Sequence, residues 1–266
     1  MKLICLNAWG GKLADALLDY VKAEAPDVLC LQEITHTPAS DKDRLTYRDG
    51  PHSLPQSANV FRDLCHALPD HAAFFHPAAQ GELWDHTAAV PSQFGLATFV
   101  HRSLPVLGQV HGFVHKCYSA DGYGDHPRPR NAHGVRVRDD VTGRSIGITH
   151  MHGLRDPKGK MDTPERTAQA RRLLRLSDKL ARPGDLRIIC GDFNVEPDSE
   201  TLQILADGGF RELVTTGGFA GTRSSHYQKP GRFADYMLVD QPELITDFRV
   251  IYDPEISDHC PLLLRT

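Results

Sequence analysis

The sequence lacks an apolar run long enough to cross a membrane, since none approaches the roughly 18 residues that a span needs. It also lacks the apolar core and small-residue cleavage site of a secretory leader. If the chain is full-length, we therefore expect a cytoplasmic protein with no membrane span. An excess of basic residues is missing as well, because 30 Lys and Arg stand against 34 Asp and Glu, for a formal net charge of −4. Proteins that hold long nucleic acid by its backbone usually have a basic surface, so this balance disfavours a non-specific duplex binder.

Cysteine pairs at metal-ligand spacing are also absent. The six cysteines form no CxxC pair; they are Cys5, Cys30, Cys65, Cys117, Cys190 and Cys260. Cys5, Cys30 and Cys190 lie inside apolar, strand-like runs, and Cys260 borders another. We therefore interpret these four as small core hydrophobes under reducing conditions, and favour that reading over disulfides or a zinc site.

Hydrophobic patterning alternates between strand and helix periods along the whole chain. Strands are predicted at 2–7, 28–31, 72–77, 94–101, 105–115, 134–138, 145–150, 186–190, 234–239, 246–251 and 261–265. Helices are predicted at 12–24, 58–68, 164–181 and 199–207, and the polar segments 36–57 and 119–131 are expected to be irregular surface loops. Because the 266 residues contain no repeat or linker, this order predicts one α/β domain over residues 1–266, with two sheets covered on both faces.

Polar side chains follow or interrupt the apolar strands at six places. They are Asn7; Glu33; His150 and His152; Asp192 and Asn194; Asp235; and Asp258 with His259. Each has an ordinary explanation when taken alone. Asn7 could end a strand, Glu33 could be a solvated carboxylate, and Asp192 could open an Asx turn. Asp235 could pair with Arg232. Open sheets bind ligands at strand ends, however, so the joint pattern predicts one site.

Taken together, these clusters resemble the endonuclease/exonuclease/phosphatase superfamily, a group of metal-dependent phosphohydrolases. The matching stretches occur in the family's order and span almost the whole chain. They are Leu6-Asn7, Leu31-Gln32-Glu33, Thr149-His150-Met151-His152-Gly153, Gly191-Asp192-Phe193-Asn194, Phe233-Ala234-Asp235-Tyr236 and Ser257-Asp258-His259. The resemblance implies a four-layer α/β/β/α sandwich of two mixed β-sheets, with a single metal-dependent site at the sheet ends.

The resemblance also implies a role for each cluster. Glu33 would be the main metal ligand, with Asn7 beside it and Asp258 opposite, and oxygen ligands of this kind suit Mg²⁺ or Mn²⁺. In the same scheme Asp192 would orient or deprotonate the attacking water and Asn194 would hold a phosphate oxygen. His259 would stabilise the charged transition state, with Asp235 fixing its tautomer.

Some assignments stay open within this resemblance. The family's middle motif is often Asn-x-His, which makes His152 the preferred functional histidine, whereas a one-step shift would select His150. Both side chains lie on the same strand face, so both are candidates for the pocket. Arg166, with Gln169, matches an Arg-x-x-Gln at a helix start, and Tyr227 and Arg232 precede Asp235; these arginines and Tyr227 are weaker substrate candidates.

The predicted function is metal-dependent phosphodiester hydrolysis of the nuclease or phosphodiesterase type. The abasic-site endonuclease pattern departs here, because Gln32-Glu33 is followed by Ile34-Thr35-His36. A small phosphodiester, a phospholipid headgroup or a single-stranded nucleic acid is therefore favoured as substrate, with specificity set by loops 36–57 and 115–131. The alternative is a non-catalytic, nucleic-acid-binding regulator on the same fold. No pattern indicates a protein partner.

Overall fold

The structure is a computed structural model that describes residues 1–50 and 52–266. Within these residues the chain forms fourteen strands and four α-helices. The strands are β1 (Lys2–Asn7), β2 (Val28–His36), β3 (Arg44–Asp49), β4 (His52–Ser57), β5 (His71–Asp85), β6 (Ala88–His101), β7 (Val106–His115), β8 (Arg130–Asp139), β9 (Arg144–His152), β10 (Leu186–Asp192), β11 (Arg211–Glu212), β12 (Asp235–Val239), β13 (Asp247–Val250) and β14 (Leu262–Arg265). The helices are α1 (Ala14–Glu24), α2 (Val60–Ala67), α3 (Pro164–Leu180) and α4 (Glu200–Asp207).

The strands form two mixed sheets. One has the order β13-β14-β1-β2-β6-β5-β3-β4 and the other β11-β12-β10-β9-β8-β7. Each sheet has a parallel pair at its centre, β1 with β2 and β9 with β10, flanked by antiparallel neighbours. Helices α1 and α2 cover the first sheet and α3 covers the second, so the predicted α/β/β/α sandwich is confirmed.

Strand alternation explains how β1 and its neighbour β2 serve two layers. Leu3 and Cys5 join the core between the sheets, whereas Ile4 and Leu6 face the helix layer with Leu17. Successive side chains of a strand point to opposite faces, so a continuous apolar run is what a strand buried on both sides requires.

The cysteine prediction is confirmed for Cys5, Cys30, Cys190 and Cys260, which are buried free thiols. Burial raises the pKa of Cys30, so that group behaves as a small apolar side chain. Across the described ranges, no helix is both long and apolar enough to cross a membrane.

The predicted surface loop 36–57 is wrong in its second half. Residues 44–57 form the β3–β4 hairpin, although Pro51 lies outside the described residues. The hairpin joins the first sheet through the pairing of Thr46 with Trp84. A partner this distant in sequence gives the segment its strand conformation, while its own residues alternate too weakly to indicate one. Strands β5 and β6 are likewise longer than predicted, because they pair continuously apart from one bulge.

A hydrogen-bonded row of histidines lies between the two sheets. Gln32 Nε2 donates to His150 Nδ1 at 3.2 Å, which leaves His150 Nε2 to donate to Thr98 Oγ1 at 2.8 Å. Thr98 then donates to His133 Nδ1 at 2.7 Å, and His133 Nε2 donates to Gln109 Oε1 at 3.2 Å. These partners are satisfied together when each imidazole is neutral.

We expect this row to make the protein acid-sensitive. Burial lowers the pKa of His133 to about 2 and that of His150 to about 3, from the usual 6.5. Above pH 6.5 the unfolded and folded states are both neutral at these groups and stability is full. As pH falls below 6.5 only the unfolded chain takes up the protons, so each group removes about 1.4 kcal/mol of unfolding free energy per pH unit.

Urea unfolding of the wild type and His133→Gln at pH 7, 6 and 5 tests this. Below pH 6.5 the unfolding free energy of the variant should fall less steeply with pH than that of the wild type, by about 1.4 kcal/mol per pH unit, whatever its stability at pH 7. A slope in His133→Gln equal to that of the wild type would show that His133 takes up its proton as readily in the folded protein as in the unfolded chain, and would contradict the prediction.

Candidate active site

The predicted site residues meet where the two sheets end. Asp192 closes β10, and its cross-strand partners are His152 at the end of β9 and Asp235 at the start of β12. Asn7 ends β1 in the facing sheet, and its amide Nδ2 donates to Asp192 Oδ2 at 2.9 Å. The carboxyl ends of the parallel pairs therefore lie on the same side of the sandwich.

Glu33 is aimed at this point by a bulge in β2. The pairing with β6 shifts register between Leu31 and Ile34, and Glu33 adopts a φ of +56°. A non-glycine residue in this conformation is strained, and such strain is often found at functional sites. Its Oε1 lies 3.6 Å from Nε2 of His152. Burial raises the pKa of Glu33, and the charge of Asp192 adds to the effect.

Asp192 is held by two donors. Oδ2 accepts from Asn7, and Oδ1 accepts from the backbone N–H of Asn194 at 3.0 Å. The preceding strand residue must be Gly191, because its φ is +140° and an added Cβ would lie 2.1 Å from the Met151 carbonyl oxygen. The amide of Asn194 points to the Gly153 carbonyl at 3.5 Å. The carboxylate of Asp192 is thereby fixed at the cavity floor.

His259 and Asp235 form a buried pair beside Asp192. His259 Nδ1 donates to both Asp235 oxygens, at 2.8 and 2.9 Å, and Nε2 lies 3.7 Å from Asp192 Oδ2. Burial raises the pKa of Asp235 and lowers that of His259. Asp235 is thus the orienting partner of His259, and Arg232 does not reach it; the Arg232 guanidinium donates to carbonyls of its own loop, including that of Ser224 at 3.1 Å.

The segment Ser257–His259 is tied directly to the end of β1. Ser257 Oγ donates to the Asn7 carbonyl at 2.7 Å and accepts from the His259 N–H at 3.2 Å. Asp258 then faces the cavity. Its Oδ2 accepts from Arg223 Nη1 at 3.0 Å, and its buried Oδ1 has no hydrogen-bond partner among the described residues. Burial raises the pKa of Asp258.

These oxygens fit a hard divalent cation. The buried, unpartnered Oδ1 of Asp258 is costly unless a positive charge neutralises it. The nearby carboxylates of Glu33 and Asp192 add to the effect of burial in raising the pKa of Asp258. Asp192, Asp235 and His259 also place ligand atoms within 4.8 Å of one another. Both oxygens of Asp235 are engaged by His259, so we favour the carboxylates of Glu33 and Asp258 as the groups that would hold the metal. Asn7 would stand beside them, with its Oδ1 also accepting the Trp9 N–H at 3.0 Å.

The structure separates the remaining sequence candidates. His152 lies beneath the floor next to Glu33, whereas His150 is two residues earlier on β9 and faces the interior between the sheets. Arg166 is buried and donates to the Gly159 carbonyl at 2.9 Å and the Leu154 carbonyl at 3.4 Å, so it braces the loop after β9. Tyr227 lines the cavity.

Two buried arginines of the site were not predicted. Arg130 donates to the Gly153 carbonyl at 2.9 Å, and its charge acts on Glu33 and Asp192. Burial lowers the pKa of Arg130 to about 10, so it remains charged at neutral pH. Arg223 contacts Asp258 and His259. Arginines are frequent in the irregular segments around both positions, and no spacing in the sequence distinguishes these two from surface residues.

The site opens into a cavity of about 600 Å³. Its floor includes Glu33, Asp192 and Asp258, and basic side chains outnumber acidic ones in the lining, although the whole chain has a negative net charge. One wall is aromatic: the Tyr123 ring centroid lies 5.7 Å from that of Tyr47 and 6.2 Å from that of Phe94. The β3–β4 hairpin and the segment before β8 supply most of this wall.

Comparison with known proteins agrees with this geometry. The sequence matches the endonuclease/exonuclease/phosphatase family over residues 4–259. A search among curated proteins found no match. A mannosyl-6-phosphatase of Bacteroides thetaiotaomicron is similar in structure, with 14% identity, a TM-score of 0.66 and coverage of 100% of this chain and 98% of that one.

Two further solved structures are similar over nearly their whole length. The catalytic domain of human Nocturnin has 18% identity, a TM-score of 0.64 and coverage of 99% of this chain and 93% of the other. A humanized TDP2 of D. rerio has 17% identity, a TM-score of 0.61 and coverage of 99% and 97%. Identities this low relate the folds, while the family match extends through the residues of the site. The chain belongs to the endonuclease/exonuclease/phosphatase family, whose members hydrolyse phosphoester bonds and generally depend on a divalent metal.

Proposed function

We propose that the protein is a Mg²⁺- or Mn²⁺-dependent phosphodiester hydrolase. The observation that carries this is the position of Asp192, which is fixed by Asn7 and Asn194 at 3.7 Å from Nε2 of His259. A carboxylate and an oriented imidazole around one point are the groups that in-line attack on phosphorus needs. We also propose that residues 1–266 act as one cytoplasmic domain.

Each side chain has a part in this scheme. Asp192 accepts a hydrogen bond from the attacking water and takes its proton, while its two existing donors hold the carboxylate in place. Asn194 orients the phosphate, and Asp235 fixes the ring of His259 beside Asp192. Arg130 completes the floor, and His152 lies beneath it next to Glu33. A bound divalent cation at Asn7, Glu33 and Asp258 would neutralise phosphoryl charge and favour the leaving group.

A substrate panel tests the proposal. Bis(p-nitrophenyl) phosphate, p-nitrophenyl phosphate, a single-stranded oligonucleotide and an abasic duplex are incubated with the protein and Mg²⁺ or Mn²⁺. Hydrolysis of a diester that EDTA abolishes is the expected result. If no ester is cleaved under either metal, the proposal fails; retention of the oligonucleotide without cleavage would instead support the non-catalytic nucleic-acid-binding alternative.

The aromatic wall should affect substrate binding more than turnover. The ring of Tyr123 packs on the backbone of Gly81, where a Cβ would lie 2.6 Å from it, and its hydroxyl donates to the Glu82 carbonyl at 3.3 Å, so the ring is held in the cavity wall. Tyr123→Ala is expected to raise KM for the p-nitrophenyl diester about tenfold, roughly 1.4 kcal/mol of ring contact, with kcat changed less than about threefold.

Tyr118→Ala is the matched control, because that tyrosine belongs to the same segment, is 38% exposed and does not line the cavity. Its KM should equal that of the wild type. Steady-state kinetics that show a fall in kcat with unchanged KM for Tyr123→Ala, or the same KM rise in both variants, would rule out the wall as a substrate contact.

A further inference from the structure

Arg223 is placed beside His259 by the backbone on both sides. The two residues pair across an isolated antiparallel bridge. The Ser224 N–H donates to the Asp258 carbonyl at 3.1 Å, and the Cys260 N–H donates to the Thr222 carbonyl at 2.8 Å. The guanidinium carbon of Arg223 lies 4.3 Å from the ring centroid of Tyr227, and the residue is 7% exposed. Its position is therefore a built feature of the site floor.

The guanidinium is only partly satisfied by the protein. Nη1 donates to Asp258 Oδ2 at 3.0 Å and to His259 Nε2, while Nε is buried and has no partner within the described ranges. If Arg223 were simply a counter-ion for the acidic cluster, a side-on, two-bond pair with Asp258 would satisfy it better. A buried charged group with an unused N–H is costly, and a guanidinium matches the oxygens of a phosphoryl group.

The hydrogen bonds of His259 leave its ring without a free N–H, so a hydrogen-bond donor to a phosphoryl oxygen at this point would have to be Arg223. Nδ1 faces the Asp235 carboxylate and so carries the proton, and Nε2 faces an Arg223 N–H, which can only donate. In this arrangement Nε2 is an acceptor and has no proton to offer a phosphoryl oxygen. The Arg223 side chain lines the cavity beside His259 and can only donate.

We propose that Arg223 is a catalytic residue of this chain that donates N–H groups to the non-bridging phosphoryl oxygens of the substrate, an inference that rests on the proposed phosphoester hydrolysis. Asp258 and His259 hold the guanidinium in place from one side, and Tyr227 supports it through its ring. The charge that develops on the phosphoryl oxygens is then met by a fixed, water-excluded donor.

Chemical rescue tests this in the full chain. Arg223→Ala should lower kcat about 100-fold or more on the diester, the usual effect of removing one such donor, and Arg223→Lys should keep an intermediate rate. Millimolar guanidinium should raise the rate of Arg223→Ala at least tenfold, and the increase should saturate with guanidinium concentration. Arg171→Ala, an exposed position of α3, should retain wild-type activity and show no response to guanidinium.

A second readout does not depend on turnover. Calorimetry measures the binding of inorganic phosphate in the presence of Mn²⁺. The affinity should be at least tenfold weaker in Arg223→Ala than in the wild type when the two proteins have equal thermal stability. If the alanine variant is unstable, the same comparison is made with Arg223→Lys. Equal phosphate affinity, or kcat within threefold of the wild type, overturns the proposal for Arg223. Failure of the wild type to cleave any ester while phosphate binding still depends on Arg223 overturns the proposed hydrolysis and leaves the phosphoryl contact standing.

Discussion

Asp192→Asn should lower kcat for diester hydrolysis by about 10³-fold, within the range that a positioned general base contributes. The amide cannot take the proton of the attacking water. It also places an NH₂ against one of two existing donors, Asn7 Nδ2 at 2.9 Å or the Asn194 N–H at 3.0 Å. That mismatch should cost about 1–3 kcal/mol of stability, so folding is measured in parallel with kinetics.

Asp240→Asn is the matched control for this substitution. Asp240 also accepts from several donors, namely the Arg187 N–H at 2.8 Å, Arg187 Nε at 2.7 Å and Gln241 Nε2 at 3.5 Å, but it follows the far end of β12 and does not line the cavity. Its stability should fall in the same way while kcat stays within about twofold of the wild type. An Asp192→Asn enzyme that keeps more than a tenth of the wild-type kcat would remove Asp192 from the chemistry.

Glu33→Gln should weaken Mn²⁺ binding on the order of 100-fold, because charged oxygen ligands dominate the affinity for hard cations. The bulge of β2 and the φ of +56° should persist, since the two side chains have the same shape. Calorimetric titration with Mn²⁺ gives the affinity, and kcat at rising metal concentration should recover in part.

Glu196→Gln serves as the control for this carboxylate. Glu196 pairs with Lys160 at 3.3 Å and is not part of the cavity lining. Its Mn²⁺ affinity should match that of the wild type. Wild-type affinity in Glu33→Gln would place the metal elsewhere, with the Asp192, Asp235 and His259 cluster as the next set of ligands to replace.

The sequence predicts the centre of the fold and the centre of the site for one reason. Strands such as β1 and β10 are buried on both faces, so they appear as continuous apolar runs, and the polar residue after each run must lie at the sheet end. Asn7 and Asp192 are found in this way. The family match and the two packed sheets confirm the predicted family and the α/β/β/α architecture.

What the sequence misses depends on distant partners. The β3–β4 hairpin is a strand pair because it adds to β5, and Arg130 and Arg223 enter the site because backbone pairing turns irregular segments inward. The choice between His150 and His152 is of the same kind. Two residues on one face of a strand are about 6.6 Å apart, enough to put one at the cavity floor and the other between the sheets.

The most direct test of a metal-dependent phosphoester site at these residues is the hydrolysis rate of metal-stripped protein before and after Mn²⁺ is added back. We expect no hydrolysis in EDTA and a saturable return of activity with Mn²⁺ in the wild type and in Asp240→Asn. Asp192→Asn should stay about 10³-fold slower than the wild type at every Mn²⁺ concentration. Hydrolysis by the stripped wild type at its full rate, or full recovery of Asp192→Asn, would contradict the account.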